Sequence, residues 1–437
     1  MAIIAERSLF GWKEVEELGD LERLHLVLMH LPDEELMDRL EERRDRGRDD
    51  YPVRPMWNSV IGGLIFEHPS IASLRRELCR NGQLRDVCGF DPLKGISAVP
   101  SSWNYSRFLR LLMGHEDLIE KMFHTLVQRC GQLLPDLGKV LMIDGTALSS
   151  YANRAGKREG DGRGDRDADW GVHEYSGVHE DGTAWQTIKK WFGYTLHLVV
   201  DATYELPVGF RVTKASVNEM PVAHEILDEI EERDPQILKR CEYFGGDRGY
   251  DDGKMVKRCW DRHQIKPVIE IRNCWKDGEE ERVVSGQQNV VYNYRGEVSC
   301  VCFRTGVQRE MAYGGFESSR GTLKYRCPAR HYGFECRSAE ECSVGGAVRI
   351  PLSEDRRVFT PLARSSYTWK RIYAKRTAAE RVNSRLDKGF CLERHFIRGF
   401  SKMRLKCSLA LCVMLALAIG RIKQKQHRLM RSLSRAA

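Results

Sequence analysis

Two short apolar runs, each ending in an aspartate, constrain this chain most. Lys139–Asp144 (KVLMID) and Cys241–Asp247 (CEYFGGD) read as buried strands that deliver an acid where they stop. Between them, Trp191–Asp201 and Leu206–Ala215 read as a hairpin turning at Ala202–Glu205. Met220–Asp234 follows as an amphipathic helix, and beyond the second acid come a helix, Asp252–His263, and a strand, Ile265–Ile271. Strand, hairpin, helix, strand, helix, strand is the order of a mixed α/β sheet. The stretch at 153–171 is too rich in glycine and mixed charge to pack and is expected to be a loop.

The flanks have a different texture. Residues 1–50 read as a helical segment, with apolar residues at helical spacing over Val15–His30 and Pro32–Arg46. Residues 51–135 read as a second helical unit, whose Pro69-Ser70 and Pro100-Ser101-Ser102 are helix-start signals. The sheet pattern then spans 136–425, broken at 271–365 by short strand-like pieces and five clustered cysteines, a β-rich insertion. From about Ser366 the pattern is helical, and 426–437 form a basic tail. Cys407–Gly420 is apolar for fourteen residues, short for a membrane crossing and suited to a buried helix. The N-terminus lacks the basic and apolar regions of a secretory signal. With the 14 cysteines, this points to the reducing cytoplasm.

The net charge of +8 is unevenly spread. After Glu393 there is no acid and there are eleven Lys and Arg, so residues 1–393 carry about −3. A basic excess at one end suits a nucleic-acid partner but does not identify a reaction.

A third acid lies on the helical stretch that starts near Ser366. Tyr373, Arg376, Glu380 and Asn383 stand three and four residues apart and share a face, with Ala378, Ala379, Val382 and Leu386 packing behind it. An apolar strand that carries an acid to its tip is how α/β sheets present active-site groups. With Asp144, Asp247 and Glu380 in this order, the chain resembles a bacterial insertion-sequence transposase of the DDE class, with a ribonuclease H-like catalytic core. The subgroup with a β-rich insertion before the last acid has the signature Tyr-x2-Arg-x3-Glu-x6-Lys. Tyr373, Arg376 and Glu380 fit it, whereas the final position is Asp387, with Lys388 one residue later.

The resemblance implies a catalytic and metal-holding triad of Asp144, Asp247 and Glu380, with Asp144 bridging two Mg2+ or Mn2+ ions. It implies DNA contacts from Tyr373 and Arg376, with Arg385 or Lys388 standing in for the missing lysine. It further implies a helical N-terminal domain for DNA binding or dimerisation. The partners it implies are terminal inverted repeats and target DNA, gripped by a homodimer in the bacterial cytoplasm. The chemistry agrees, since phosphodiester cleavage needs an in-line nucleophile and neutralised oxygens, and hard divalent ions held by carboxylates supply both. A nuclease of the same fold without strand transfer, and an inactive transposase-derived DNA-binding protein, remain alternatives.

Cys300, Cys302, Cys327, Cys336 and Cys342, with His331 nearby, form either a structural zinc site or a group of free thiols. Their spacings lack the paired Cys-x2-Cys of a zinc knuckle. His197 on a strand and His224 on a helix read as ordinary packed residues. Arg394–Lys406 reads either as a solvated helix face or as a phosphate-binding one.

Overall fold

The computed structural model describes residues 19–44, 51–152, 164–178, 183–333, 335–342 and 344–433. Part of the expected N-terminal helices, most of the glycine-rich loop and the end of the basic tail lie outside the described residues.

The central sheet contains β1 (Val140–Ser149), β2 (Asp169–Val178), β3 (Ala184–Asp201), β4 (Leu206–Lys214), β5 (Tyr243–Gly246) and β6 (Lys266–Ile269). Five strands cross the core in the order β4-β3-β1-β5-β6. β3 runs antiparallel to β1 and β4, while β5 is parallel to both β1 and β6. That is the strand arrangement of a ribonuclease H-like core. Parallel neighbours need crossovers, and helices supply them on either side of β5.

The helical N-terminal region comprises α1 (Leu21–Leu28), α2 (Glu34–Arg44), α3 (Val53–Ile65), α4 (Ile71–Arg80), α5 (Gly82–Cys88), α6 (Ser102–Leu112) and α7 (Glu116–Leu133). The serines that follow prolines act as caps: Ser70 Oγ accepts from the Ser73 N–H at 3.2 Å, and Ser101 Oγ from the Asn104 N–H at 3.3 Å. Downstream follow α8 (Glu219–Arg233), α9 (Pro235–Arg240), α10 (Gly253–Lys257), α11 (Pro328–Tyr332), α12 (Tyr367–Tyr373), α13 (Thr377–Gly389) and α14 (Phe400–Lys423). α14 is long and apolar enough to cross a membrane by length and composition, but it is buried inside the protein, against α7 and α1. The N-terminal helices, the sheet and α14 share one continuous core.

Two expectations need correction. The segment before Trp191 is not all loop: β3 begins at Ala184, and its first half pairs with β2 as a hairpin arm. Residues 184–190 are exposed and the rest of β3 is buried. An arm solvated on both sides carries no hydrophobic period, so its sequence does not announce it. The helix expected at 252–263 is α-helical over Gly253–Lys257 and widens into a π-turn at Arg258–Arg262.

The insertion folds as two small antiparallel sheets. β7 (Glu281–Val283), β8 (Val290–Asn293), β9 (Val298–Val301) and β10 (Gln308–Glu310) form one, and β11 (Ala312–Glu317), β12 (Thr322–Arg326) and β13 (Ala347–Pro351) the other. They enclose a separate core that includes Val290, Leu323, Tyr325, Ile350 and Phe359. Arg364 closes its neck, donating to the carbonyls of Ile269 at 3.3 Å, Val358 at 2.6 Å and Arg357 at 3.1 Å.

Two polar nodes fix the helices to the sheet. His124 on α7 is buried between Asp234, 2.8 Å from Nδ1, and Glu229, 3.0 Å from Nε2. Burial alone would lower its pKa, but the hydrogen bonds and charges of the two acids raise it to about 9. Glu205, buried on the β3–β4 turn with φ +54°, receives Arg381 at 2.8 Å, Arg385 at 3.3 Å and Arg431 at 3.1 Å. Arg385 also donates to the Glu205 carbonyl at 2.8 Å. Arg385, offered by the resemblance as a DNA contact, is held here by Glu205 as a strut of the fold.

Removing the Arg385 strut by Arg385→Ala is expected to destabilise by about 1–3 kcal/mol, because a buried carboxylate loses a partner. Chemical denaturation measures this; an unchanged midpoint would show that Glu205 does not need it. The His124 node has a pH signature. A pKa raised in the folded state gives stability that is whole below pH 6.5 and is lost as pH rises through about 9. The melting-temperature gap between wild type and His124→Leu should therefore be widest near pH 6 and shrink toward pH 9.5.

Candidate active site

β1 and β5 are paired in parallel as far as Met142↔Gly245. Two residues further along both strands stand Asp144 and Asp247, so the register sets the two carboxylates side by side on one face. Asp144 is not at a strand tip as anticipated, because β1 continues to Ser149 against β3. What ends there is its pairing with β5, and the gap this opens accommodates the acids. Asp247 leaves β5 directly and accepts the Gly249 N–H at 2.8 Å.

Glu380 approaches from α13. The stretch read as one helix contains a 3-10 turn, Ala374–Arg376, between α12 and α13. The expected face survives the interruption. Arg376 pairs with Glu380 at 2.7 Å and lies 5.9 Å from the Tyr373 ring, which stacks on Trp369 with centroids 4.7 Å apart. Ala378, Ala379, Val382 and Leu386 are buried behind it. Asn383 joins the helix to the sheet, its Nδ2 donating to Asp144 Oδ2 at 2.9 Å.

The electrostatics are those of crowded carboxylates. Burial pushes the Asp144 carboxyl up, the Asp247 charge adds to it, Arg376 opposes, and Glu380 and Glu219 push further, to about 7. Asp247 is also raised, first by burial and then by Glu219. Glu219, the first residue of α8, escapes sequence reasoning because an acid in a first helical turn ordinarily just complements the helix dipole. Its carboxylate lies 3.4 Å from His173 Nε2 on β2. Tyr250, three residues after Asp247, is buried beside these carboxylates.

Chemically the set fits a hard divalent cation: carboxylate oxygens held against their own repulsion, beside a buried Asn383 Oδ1 with no hydrogen-bond partner. Among the described residues, no three His, Cys, Asp or Glu side chains are already drawn into metal-holding geometry, and Glu380 is turned to Arg376.

The other candidates lie elsewhere. Lys388 is exposed near the end of α13, and Arg385 is bound to Glu205. In the Arg394–Lys406 segment, Arg404 pairs with Glu116 and Glu120, and Lys406 donates to the Cys391 carbonyl at 2.8 Å, while Arg394 and Lys402 are exposed. His197 is buried and held down to about pKa 4 by burial, with Nε2 2.9 Å from Thr213. His224 lies 3.3 Å from Asp252. In the insertion the five clustered cysteines form no disulfide and line one small cavity. Cys327, Cys342 and Cys336 surround Cys300, whereas Cys302 shares a hydrogen bond with Ser338 at 3.0 Å. His331 is exposed and does not line the cavity.

A family model of the transposase DDE domain matches residues 137–416, more than half of the chain. No curated protein matches significantly. Among solved structures, the chain is similar to a piggyBac transposase synaptic complex with hairpin DNA, determined by cryo-electron microscopy. The identity is 10%, the coverage 94% of this chain and 79% of that one, and the TM-score 0.41, a distant likeness and no more. The matched span runs from the start of β1 into α14 and contains all three acids, and the chain belongs to the DDE transposase family.

Proposed function

We propose that the chain is a DNA transposase that cleaves the ends of its own insertion sequence and joins each freed 3′-OH to target DNA. The observation that most supports this is the β1–β5 register, which sets Asp144 beside Asp247, with Glu380 close to Asp144. In the first step a water oxygen attacks the phosphorus at the element end, the bond to the 3′ oxygen breaks, and that oxygen leaves as a hydroxyl. In the second, the hydroxyl attacks a target phosphorus, loses its proton and displaces the target's own 3′ oxygen.

Asp144, Asp247 and Glu380 would hold Mg2+ or Mn2+, which when bound activates the nucleophile and neutralises the phosphate oxygens. Asn383 fixes the Asp144 carboxylate. Arg376 offers a forked donor set to a phosphate beside the acids. Tyr373, braced on Trp369, supports that phosphate or stacks on a displaced base, and Lys388 meets DNA from the end of α13. We assign residues 51–135 to end binding or dimerisation, in a homodimer acting on paired ends in the bacterial cytoplasm. For the insertion, the five clustered cysteines are either thiols or ligands of a structural zinc, and elemental analysis of protein purified without chelator decides between them.

Asp144→Asn, Asp247→Asn and Glu380→Gln are each expected to reduce nicking of labelled terminal-repeat DNA in Mg2+ to background while retaining end binding. Full nicking by any of the three would remove that residue from the triad. Joining to a plasmid target separates the transposase from a nuclease, which nicks without joining. Binding with neither activity in the wild type would mark an inactive descendant.

A further inference from the structure

A fourth carboxylate stands with the three acids. Glu219 reaches from the start of α8 across the backbone that follows both aspartates. A Cβ on Gly145 would lie 2.8 Å from Glu219 Oε1, and one on Gly249 would lie 2.6 Å from Oε2. A side chain at either position would have to push the Glu219 carboxylate aside. Gly145 directly follows Asp144, and the Gly249 N–H is the one that binds Asp247. The backbone after each aspartate thus lies against this side chain, and His173 pairs with it from the arm at 3.4 Å.

A second observation is independent of the acids. Tyr250 is 1% exposed, yet its hydroxyl has no hydrogen-bond partner among the described residues. That oxygen lies 3.4 Å from the same point above Gly145, surrounded by Glu219, Asp144 and Asp247. Buried hydroxyls are rarely left unpaired. This one is aimed into the space between the carboxylates, where a cation would bring its waters.

We propose that Glu219 is a fourth carboxylate of the divalent-cation site, with the Tyr250 hydroxyl as a hydrogen-bond donor inside it. This rests on the reading of Asp144 and Asp247 as cation-holding acids. A residue serving only to hold His173 would behave differently: its loss would weaken the fold and leave the cation untouched. A carboxylate of the cation site repels its neighbours in metal-free protein, so its neutralisation should relieve strain there.

Mn2+ binding to the full-length chain, followed by calorimetry, tests the proposal alongside the melting temperature of metal-free protein. Glu219→Gln should weaken Mn2+ binding by at least about tenfold, with the metal-free melting temperature unchanged or higher. Tyr250→Phe should weaken binding in the same direction by a smaller factor. Unchanged Mn2+ affinity in Glu219→Gln, or a lower metal-free melting temperature with affinity intact, overturns the proposal. Should Glu219→Gln fail to fold, Glu219→Asp replaces it, and the same affinity criterion decides. Asp144→Asn is measured beside them. If it loses Mn2+ while Glu219→Gln does not, the proposal falls and the transposase reading stands. If Glu219 governs Mn2+ binding but the wild type neither nicks nor joins DNA, the transposase reading falls and the proposal stands.

Discussion

The parallel register of β1 and β5 is the constraint on which the site depends. It places two carboxylates on adjacent strands, two residues past the last paired position, where they repel. Nothing about those residues alone would hold them together. The closeness is imposed by strands whose apolar residues are committed to the core, and by a helix anchored on two sides. Asn383 ties α13 to Asp144, while Arg381 and Arg385 tie its other side to Glu205. The repulsion is thus carried by the whole fold, and a positive charge placed among the acids would relieve it.

The basic character of the chain takes on a different meaning once the partners of individual residues are known. The eleven unopposed Lys and Arg after Glu393 suggested a phosphate-binding surface. Several are instead used inside the molecule. Arg404 pairs with acids of α7, Lys406 is bound to a backbone carbonyl, and Arg431 closes the Glu205 node. Acids that are unopposed in sequence at one end find their counter-ions in space at the other. Fewer basic side chains face solvent than a count of charges suggests; Arg394 and Lys402 are among those that do.

Much of this architecture was legible in the sequence. The strand order, the capping serines, the apolar back of the Glu380 helix and the buried nature of α14 all follow from period and punctuation, signals that survive in a single chain. What was not legible depends on contacts between distant segments. The β2–β3 arm has no buried face to impose a period. Arg385 was offered as a DNA contact, and its bond to Glu205, 180 residues away, leaves no local trace. Glu219 and Tyr250 look ordinary where they stand, and acquire meaning only when the sheet brings Gly145 and Gly249 beneath them. Asp144, Asp247 and Glu380 could be singled out because they lie on recognisable elements; Glu219 and Tyr250 could not.

The two cores divide the chain in a way that linear boundaries do not. One is assembled from both ends of the sequence, so the N-terminal helices and α14 stand or fall with the sheet. The other is built wholly from a continuous stretch between Ile271 and Phe359, closed at its neck by Arg364. A loop that brings its own hydrophobic interior can change at its far side with little effect on the sheet. Its near side cannot, because Arg357 pairs with the buried Asp251, four residues past Asp247, and Phe316 packs on Trp260.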